Sequence, residues 1–474
     1  MSANDKDIVI VGGGSTGATA VIALARAFAD HPPAPGVTLY LFDPRGFGNG
    51  GIAYGKSGSA LLNETADAMS PWNPGAFTDW CAHHGYGSDP KAFHERRVFG
   101  AFLNDEYQQA LIVLRAVGVN VAEHREAVAS LARSESGRFT VAGAATTLTG
   151  IAKENIILAP GYGRSEAFRT LEQYSGQGYV PSLYPPDALE AEIRKKPGAR
   201  VLAIGTGPAL YDALRLLPDS FHGSIVAVSP SGTLPDRRDV SVEGSETHWT
   251  LTDEYRRAAT ADRLSSLIDR DLSQAEARGS TVRRTALDIQ KELPSLLRRL
   301  DENEQRRFVR GSLSRLFHAC TPVPDVSWAQ KEELKKQGRF EVRKGRVSAA
   351  DITPGGDGFT LGDEHYDIVI NCAGHDPLSQ PLVKLLLQSG LAQTDPGLRL
   401  LKTGDDNYHL SGSGLACIGP ATHIGLHGVE SFYGPAAETA NAIAASLAEA
   451  PAPLSRILPV RASVPPLQLQ PAHP

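Results

Sequence analysis

A glycine-rich loop near the N-terminus constrains the fold of this chain more than any other feature. It follows an apolar run, Ile8 to Val11, precedes an alanine-rich stretch, Ala18 to Ala29, and consists of Gly12-Gly13-Gly14-Ser15-Thr16-Gly17. An apolar run, a glycine loop and an alanine-rich stretch in this order predict a strand, a tight turn and a helix. A second apolar run, Val37 to Phe42, completes a β-α-β unit of about 30 residues.

The positions of the glycines match the fingerprint of a dinucleotide-binding unit. Gly12 permits the tight turn, Gly14 lets the backbone approach a pyrophosphate, and Gly17 lets helix and strand pack closely. The helix N-terminus presents backbone N–H groups and a positive dipole end to phosphates. Asp43, at the end of the next strand, is placed to accept hydrogen bonds from ribose hydroxyls. The sequence therefore predicts dinucleotide binding at this loop.

A second unit of the same kind begins near residue 199. Its parts are the apolar run Val201 to Ile204, the loop Gly205-Thr206-Gly207, the helical pattern Ala209 to Leu217 and a strand at Ser224 to Val228. The repetition predicts another β-α-β unit, in which Gly205 and Gly207 bind a second nucleotide. Leu210 replaces the third glycine, so helix and strand are expected to pack less closely there.

The turn after the second unit bears on which nucleotide the unit prefers. Where an acidic residue would bind an NADH ribose hydroxyl, the chain carries Ser229-Pro230-Ser231-Gly232. Arg237 and Arg238 lie just beyond, and a guanidinium can bind a 2′-phosphate bidentately. These two arginines are therefore candidates for an NADPH site. The alternative is a degenerate nucleotide fold that holds no nicotinamide cofactor.

Composition and charge exclude several classes of protein. The 474 residues, 41% hydrophobic and 21% charged, are typical of a globular protein with more than one domain. A net charge of −6 argues against a nucleic-acid partner, because phosphate binding needs a surplus of Lys and Arg. No apolar run reaches the roughly 20 residues of a membrane span, and the polar start, Met1 to Asp7, does not resemble a signal peptide. We therefore expect a cytoplasmic protein without a membrane or nucleic-acid partner.

The cysteines and histidines form no recognisable metal or disulfide pattern. The sequence has no C-x-x-C pair, H-E-x-x-H helix or calcium-loop spacing, so we predict no metal. The absence of a cysteine pair also argues against a flavoprotein disulfide reductase, which needs a local dithiol. The cysteines are Cys81, Cys320, Cys372 and Cys417.

Short motifs also occur outside the Gly12 loop. They are Gly48 to Tyr54, Leu61-Leu62-Asn63 with Met69-Ser70, Phe93-x-x-Arg96 with Phe99 to Leu103, Gly205-x-Gly207 with Asp212, Ile370 to Gly374, and Ile418-Gly419-Pro420 with Glu430 and Glu438. With the Gly12 loop, they resemble a bacterial family of FAD/NAD(P)-binding proteins that includes FAD-dependent urate hydroxylases. Amino-acid N-hydroxylating flavin monooxygenases are more distant relatives. The resemblance covers roughly residues 7 to 450.

The two units and the resemblance together predict an architecture. It is an α/β fold with two Rossmann-like dinucleotide-binding domains, one for FAD and one for NAD(P), and a helical insertion. By the resemblance, the Gly12 loop binds FAD rather than NAD(P), together with Gly419 near the other end of the chain. We expect FAD-binding segments at 1–165 and 366–450, an NAD(P)-binding-like domain at 195–365 with the insertion at about 250–320, and a Pro-rich disordered tail at 451–474.

Candidate site residues follow from the loops, the resemblance and side-chain chemistry. Asn63 is a candidate ligand of flavin or substrate, or a turn residue; Arg96 is a candidate partner of an FAD phosphate or a substrate carboxylate, or part of a surface ion pair. His423 and His427 flank the loop where the resemblance places the isoalloxazine, and either is a candidate general acid or base. The predicted cofactor-binding residues are Gly12, Gly14, Ser15, Thr16, Gly17, Asp43, Asn63, Arg96, Val128, Gly161, Gly205, Gly207, Arg237, Arg238, Gly419 and Glu430.

Two departures from the family bear on function. Family members carry a Ser-Arg-Arg-Gly turn where this chain has residues 229–232, and the loss of both arginines weakens the case for NADPH. A Trp-Glu pair near the C-terminal flavin loop is Val429-Glu430 here, which removes an aromatic wall of the active site.

The leading functional hypothesis is an NAD(P)H-dependent flavin monooxygenase. By the resemblance, such an enzyme uses O2 and a C4a-(hydro)peroxyflavin to oxygenate a small nitrogen-containing or heteroaromatic metabolite. The altered turn at 229–232 supports a second hypothesis, a flavin oxidase or dehydrogenase with a degenerate nicotinamide site. The third is a flavin-binding redox sensor without catalysis.

Overall fold

The structure, a computed structural model, describes residues 6–48, 50–55, 59–70, 72–184, 186–240, 249–277, 282–395, 397–422 and 433–448. The strands are β1 (Ile8–Val11), β2 (Thr38–Phe42), β3 (Asn120–His124), β4 (Ser130–Arg133), β5 (Phe139–Ala142), β6 (Thr147–Ile151), β7 (Ile156–Leu158), β8 (Tyr179–Val180), β9 (Arg200–Ile204), β10 (Ser224–Ser229), β11 (Phe340–Lys344), β12 (Ile352–Gly355), β13 (Gly358–Leu361), β14 (Glu364–Tyr366), β15 (Ile368–Asn371), β16 (Thr394–Asp395), β17 (Leu400–Leu401) and β18 (Ala416–Cys417). The helices are α1 (Ser15–Asp30), α2 (Ala76–His83), α3 (Arg96–Ala116), α4 (Asp187–Lys195), α5 (Pro208–Arg215), α6 (Asp253–Arg256), α7 (Ala261–Ala277), α8 (Val282–Leu297), α9 (Glu302–Gly311), α10 (Leu313–Cys320), α11 (Asp325–Lys336), α12 (Pro381–Gln388) and α13 (Tyr433–Leu447).

The first sheet has five parallel strands in the order β18-β7-β1-β2-β3. Both β1 and β7 are buried along their whole length, as expected of parallel strands covered on both faces. One face packs against α1, α3 and α13, and the other against the small antiparallel sheet β4-β5-β6. The small buried alanines of α1 let these helices approach closely.

The second sheet repeats this arrangement. Its order is β11-β10-β9-β15-β8, again with all strands parallel. In each sheet the strand before the glycine loop is central: β1 lies between β7 and β2, and β9 lies between β15 and β10. This confirms the predicted α/β fold with two Rossmann-like units.

The strand β15 corrects one predicted boundary. The sequence places Ile368–Asn371 in an FAD-binding segment that starts at residue 366, but the strand pairs with β9 in the second sheet. The short strand β8 joins the same sheet, although it precedes the expected start at residue 195. The reason is topological: β15 with its Cys-Ala-Gly return closes the second unit as β7 with its Ala-Pro-Gly return closes the first.

The charged stretch between β10 and α11 is helical. Helices α7, α8, α9 and α10 enclose an apolar core of their own, to which Leu264, Leu267 and Leu272 contribute at helical spacing. This matches the helical insertion that the spacing of apolar residues predicts. Among the described helices, none is both long and apolar enough to cross a membrane.

Candidate functional site

The first glycine loop is held closely by its neighbours. The Gly12 N–H donates to the Phe42 carbonyl at 2.8 Å, and the residue has a φ of +111° that favours glycine. An added Cβ at Gly12 would lie 2.1 Å from the Ala159 carbonyl oxygen, and one at Gly17 would lie 1.8 Å from the Gly12 carbonyl oxygen. Both glycines are therefore required by packing within the protein itself.

Gly14 differs because the space above it is open. An added Cβ would meet only the Gly51 Cα, at 3.8 Å. Gly14 is the N-cap of α1 and has no side chain to bond the first backbone N–H groups of that helix, which begins with Ser15 and Thr16. A pyrophosphate fits this cradle, since a helix N-terminus supplies both the donors and the favourable dipole. The residues present therefore suit FAD.

Asp43 is buried beside this loop, with 6% of its surface exposed. Its Oδ2 accepts the Gly13 N–H at 2.8 Å, and its Oδ1 accepts the Arg45 N–H at 2.7 Å. Each carboxylate oxygen can accept a further hydrogen bond, so the ribose contact predicted for Asp43 is compatible with these bonds. The carboxylate also fixes the glycine loop, a role that the sequence did not suggest.

The second glycine loop repeats the geometry of the first. The Gly205 N–H donates to the Val228 carbonyl at 2.8 Å, and an added Cβ there would lie 2.3 Å from the Cys372 carbonyl oxygen. Gly207 is the N-cap of α5, and no atom lies within 4 Å of an added Cβ. A crevice opens at the carboxyl ends of β8 and β15, where α/β sheets bind ligands, and Tyr184, Ala209 and His375 line it.

A buried ion pair joins the two nucleotide units. The Arg96 guanidinium, at the start of α3, donates to Asp212 Oδ2 on α5 at 3.0 Å, and the Tyr184 hydroxyl donates to the same oxygen. The two ionic side chains are 12% and 5% exposed. Burial raises the pKa of Asp212, and Arg96 and Tyr184 oppose that shift. Arg96 therefore has a protein partner, and the ion pair is buried rather than on the surface.

Two further tyrosines and a histidine lie at the same junction. Tyr162 follows the Ala-Pro-Gly return of the first unit, and its ring centroid lies 4.4 Å from that of His375, which follows the return of the second unit. Burial raises the pKa of Tyr54 and of Tyr162. Burial lowers the pKa of His375 to about 4, and the positive charge of Arg96 adds to this shift. At neutral pH the junction therefore carries protonated phenols and a neutral imidazole.

Tyr162, Tyr184 and His375 were not among the predicted site residues. Their positions in the sequence could have indicated them, because residues that follow β7 and β15 lie at the carboxyl edge of a sheet. Tyr162 and His375 each come within four residues of such a strand end.

Arg238 is not placed as a 2′-phosphate ligand. It is 3% exposed, and its guanidinium donates to Glu64 Oε2 at 3.0 Å and to the Asn63 carbonyl. Arg237 forms an isolated parallel β-bridge with Val323, and this pairing directs the side chain of Arg238 into the protein. Arg237 is exposed and makes a bidentate pair with Asp325 at 2.7 and 2.8 Å. The predicted role of Arg238 is therefore corrected.

The other predicted residues fall into two groups. Asn63 is partly buried, and Val128 is partly buried against the core between the first sheet and β4-β5-β6. Gly161 and Gly419, with φ of +69° and +122°, follow β7 and β18 at the carboxyl edge of the first sheet. His423, His427 and Glu430 lie outside the described residues, as does the tail at 451–474. Within the described ranges, no group of three or more His, Cys, Asp or Glu side chains is arranged to hold a metal ion.

Comparisons with solved structures show the same fold. The chain is similar to ornithine hydroxylase from Pseudomonas aeruginosa, with 16% identity, a TM-score of 0.54, and coverage of 94% of this chain and 98% of that chain. It is similar to L-lysine 6-monooxygenase from Pseudomonas syringae, with 15% identity, a TM-score of 0.54, and coverage of 94% and 99%. It is also similar to the FAD-bound cadaverine monooxygenase of desferrioxamine biosynthesis from Erwinia amylovora, with 11% identity, a TM-score of 0.55, and coverage of 98% and 99%.

Sequence comparison finds a similarity that is confined to the first unit. A search of curated proteins finds no significant match. The family model described as FAD-NAD(P)-binding matches residues 9–163, which include the Gly12 loop, Asp43 and the Ala-Pro-Gly return. Residues 9–163 are therefore similar to the FAD-NAD(P)-binding family.

Proposed function

We propose that the protein is an FAD-dependent oxidoreductase, and specifically an NAD(P)H-dependent flavin monooxygenase. The observation that carries the proposal is the junction at which the two units meet. Tyr162 follows the first sheet, whereas Tyr184 and His375 follow strands of the second, and each unit supplies its own dinucleotide loop. This arrangement suits hydride transfer from NAD(P)H bound at the second unit to FAD bound at the first.

The chain's own residues would bind FAD at the first unit. Gly14 supplies the open cradle for the pyrophosphate, and Asp43 accepts from the ribose. Gly161 and Gly419 follow β7 and β18 at the same carboxyl edge, Val128 follows β3, and we include all three in the proposed FAD site. When bound, FAD supplies hydride acceptance and oxygen transfer with O2. In domain terms we propose that 1–165 binds FAD and that the second sheet binds NAD(P)H.

The junction would position the substrate and limit water. Burial raises the pKa of Tyr54, Tyr162 and Tyr184, so their hydroxyls remain hydrogen-bond donors through neutral pH. A neutral His375 can accept or donate one hydrogen bond there, which allows it to orient a polar substrate without adding charge. The neutralised pair of Arg96 and Asp212 adds no net charge either.

A small nitrogen-containing metabolite is the proposed substrate class. The structural neighbours are described as acting on ornithine, lysine and cadaverine, all of which are amines. The resemblance to urate hydroxylases favours a heteroaromatic compound instead. The uncharged, tyrosine-lined junction is compatible with both.

The test measures coupling between NAD(P)H and product. FAD-saturated protein is mixed with NADPH or NADH in air, with L-ornithine, L-lysine, cadaverine or urate added in turn. We expect one compound to accelerate nucleotide oxidation and to yield an oxygenated product by mass spectrometry, with little hydrogen peroxide. Flavin that neither nucleotide reduces, but that a substrate reduces directly, would support the oxidase alternative. Flavin that no partner reduces would leave the redox-sensor alternative.

A further inference from the structure

The turns at the ends of β2 and β10 have the same backbone geometry but different side chains. In Asp43-Pro44-Arg45-Gly46 the last N–H donates to the first carbonyl at 3.2 Å, and Ser229-Pro230-Ser231-Gly232 has the same bond at 3.2 Å. Both glycines have a positive φ, of 82° and 66°. The residue before each turn accepts the N–H of its own glycine loop at 2.8 Å. Ser229 therefore occupies in the second unit the position that Asp43 occupies in the first.

This exchange removes a negative charge where the ribose of a bound dinucleotide lies. An acidic residue at this position binds a ribose 2′-hydroxyl, and it would repel a 2′-phosphate. The Ser229 hydroxyl accepts from Thr206 at 2.7 Å, just as Asp43 accepts from Gly13. Ser231 and Thr233 are exposed, and their hydroxyl oxygens lie 2.9 Å apart. The second turn therefore presents neutral hydroxyl groups.

A lysine from the neighbouring strand stands beside this turn. Lys344 ends β11, and its Cα is the register partner of Ser229. An added Cβ at Gly232 would lie 2.9 Å from the Lys344 Cβ, so the turn packs directly against this residue. Lys344 is exposed, and within the described ranges its ammonium has no hydrogen-bond or ion-pair partner. The adjacent Arg343, by contrast, is paired with Glu341 and Glu364.

The first unit also has a basic residue beside its turn. An added Cβ at Gly46 would lie 3.7 Å from the Arg125 Nε, so a basic side chain that follows β3 covers the first turn. In both units a basic residue at the end of the sheet-edge strand lies beside the glycine of the turn, Arg125 through its guanidinium and Lys344 through its Cβ. The second turn begins with Ser229, so it lacks the carboxylate that Asp43 supplies in the first turn.

We propose that Lys344, with the hydroxyls of Ser229, Ser231 and Thr233, binds the 2′-phosphate of an adenine dinucleotide. The site makes the second unit prefer NADPH to NADH, and Lys344 performs the task predicted for Arg237 and Arg238. An ammonium acts on phosphate as a point charge, so the preference needs no bidentate guanidinium. This inference rests on the nicotinamide site of the proposed function and names its specificity residues.

The experiment uses two ligands that differ only in the 2′-phosphate. Adenosine 2′,5′-bisphosphate and adenosine 5′-monophosphate are titrated calorimetrically into oxidised, FAD-saturated protein. We expect the bisphosphate to bind at least about tenfold more tightly, the effect of one charge-assisted contact. Lys344→Ala should remove most of this ratio, Lys344→Arg should keep it, and Ser229→Asp should remove it by repulsion. The affinity for the monophosphate should change little in the two Lys344 variants.

The controls separate this site from general charge. Lys336→Ala removes an exposed lysine at the end of α11, which precedes the amino end of β11, whereas Lys344 lies at the carboxyl end of that strand. This variant should leave the ratio unchanged. Arg237→Ala should also leave it unchanged. Equal binding of both ligands to the wild type, or a ratio lost with Arg237→Ala but kept in Lys344→Ala, overturns the inference.

Flavin reduction distinguishes this inference from the proposed function. Reduction by NADPH and NADH at equal rates, with no bisphosphate preference, overturns the Lys344 site and leaves the monooxygenase proposal intact. A bisphosphate preference that depends on Lys344, with no flavin reduction by either nucleotide, supports the site and overturns the NAD(P)H-dependent activity.

Discussion

The three glycines of the first loop are required for different physical reasons. Gly12 and Gly17 leave no room for a side chain, because added Cβ atoms would lie 2.1 and 1.8 Å from backbone carbonyl oxygens. Gly14 has room within the protein and a φ of −69°, which any residue adopts. Its lack of a side chain matters only to a ligand. Gly12 and Gly17 are therefore required for folding, whereas Gly14 is required for cofactor binding.

This separation gives a prediction for flavin retention. Gly14→Val should fold normally but lose FAD, because the side chain would fill the pyrophosphate cradle. Gly17→Ala should instead lower the melting temperature of the apoprotein, because its Cβ would clash with the Gly12 carbonyl. The flavin-to-protein absorbance ratio and circular dichroism check both variants. A yellow, fully loaded Gly14→Val protein would contradict the placement of FAD.

Asp43 gives a second prediction at this scale. Asp43→Ala should weaken FAD binding by about 1 to 3 kcal/mol, the range for hydrogen bonds to a charged group. The loss includes the ribose contact and the bond that holds the Gly13 N–H at 2.8 Å. Titration of apoprotein with FAD, followed by flavin fluorescence, measures it. An unchanged dissociation constant would remove Asp43 from the site.

At the scale of elements, the sequence predicted individual strands and helices better than it predicted which strands pair. The strand, loop and helix of each unit follow from apolar runs and glycine spacing, which are local signals. The sheet to which β15 belongs was assigned wrongly, because an apolar strand carries no mark of its partner. The positions of Tyr162 and His375 after strand ends placed them at a sheet edge, but nothing in the sequence showed that Tyr162 meets His375 or that Tyr184 meets Asp212.

A buried carboxylate ties the helical insertion to the first unit. Glu64, 7% exposed, binds Arg238 at 3.0 Å and Arg283 of α8 at 2.6 Å. Glu64→Gln would leave two cations without this counter-charge, which is strongly destabilising in a buried site. We expect faster hydrogen exchange in α7 and α8. The control, Arg237→Ala, breaks a pair that is 61% and 60% exposed and should leave exchange unchanged. Equal exchange in both variants would show that Glu64 does not hold the insertion.

At the scale of the whole molecule, polar contacts between residues distant in sequence connect the two units. Arg96 and Asp212 are 116 residues apart in sequence, and each belongs to a motif of the family resemblance. Nothing in either motif marks the other as its partner. The Ser59 hydroxyl also donates to the Arg215 carbonyl at 2.7 Å across the same boundary. These contacts help to hold together the two units between which we propose that hydride is transferred.

The Arg96–Asp212 pair therefore gives a prediction about the whole protein. Asp212→Asn should lower the melting temperature more than the double change Arg96→Met/Asp212→Leu, because the single change leaves the Arg96 charge buried and unpaired. Removal of one partner of a buried pair costs about 3 to 5 kcal/mol, whereas an apolar replacement of both is often neutral. Both variants should slow flavin reduction by NADPH while FAD content stays constant, because the pair aligns the two units and touches neither glycine loop. Thermal melts and anaerobic stopped-flow reduction measure the two effects. A single variant as stable as the wild type would mean that the Arg96 charge is hydrated, and unchanged reduction rates would mean that other contacts align the units.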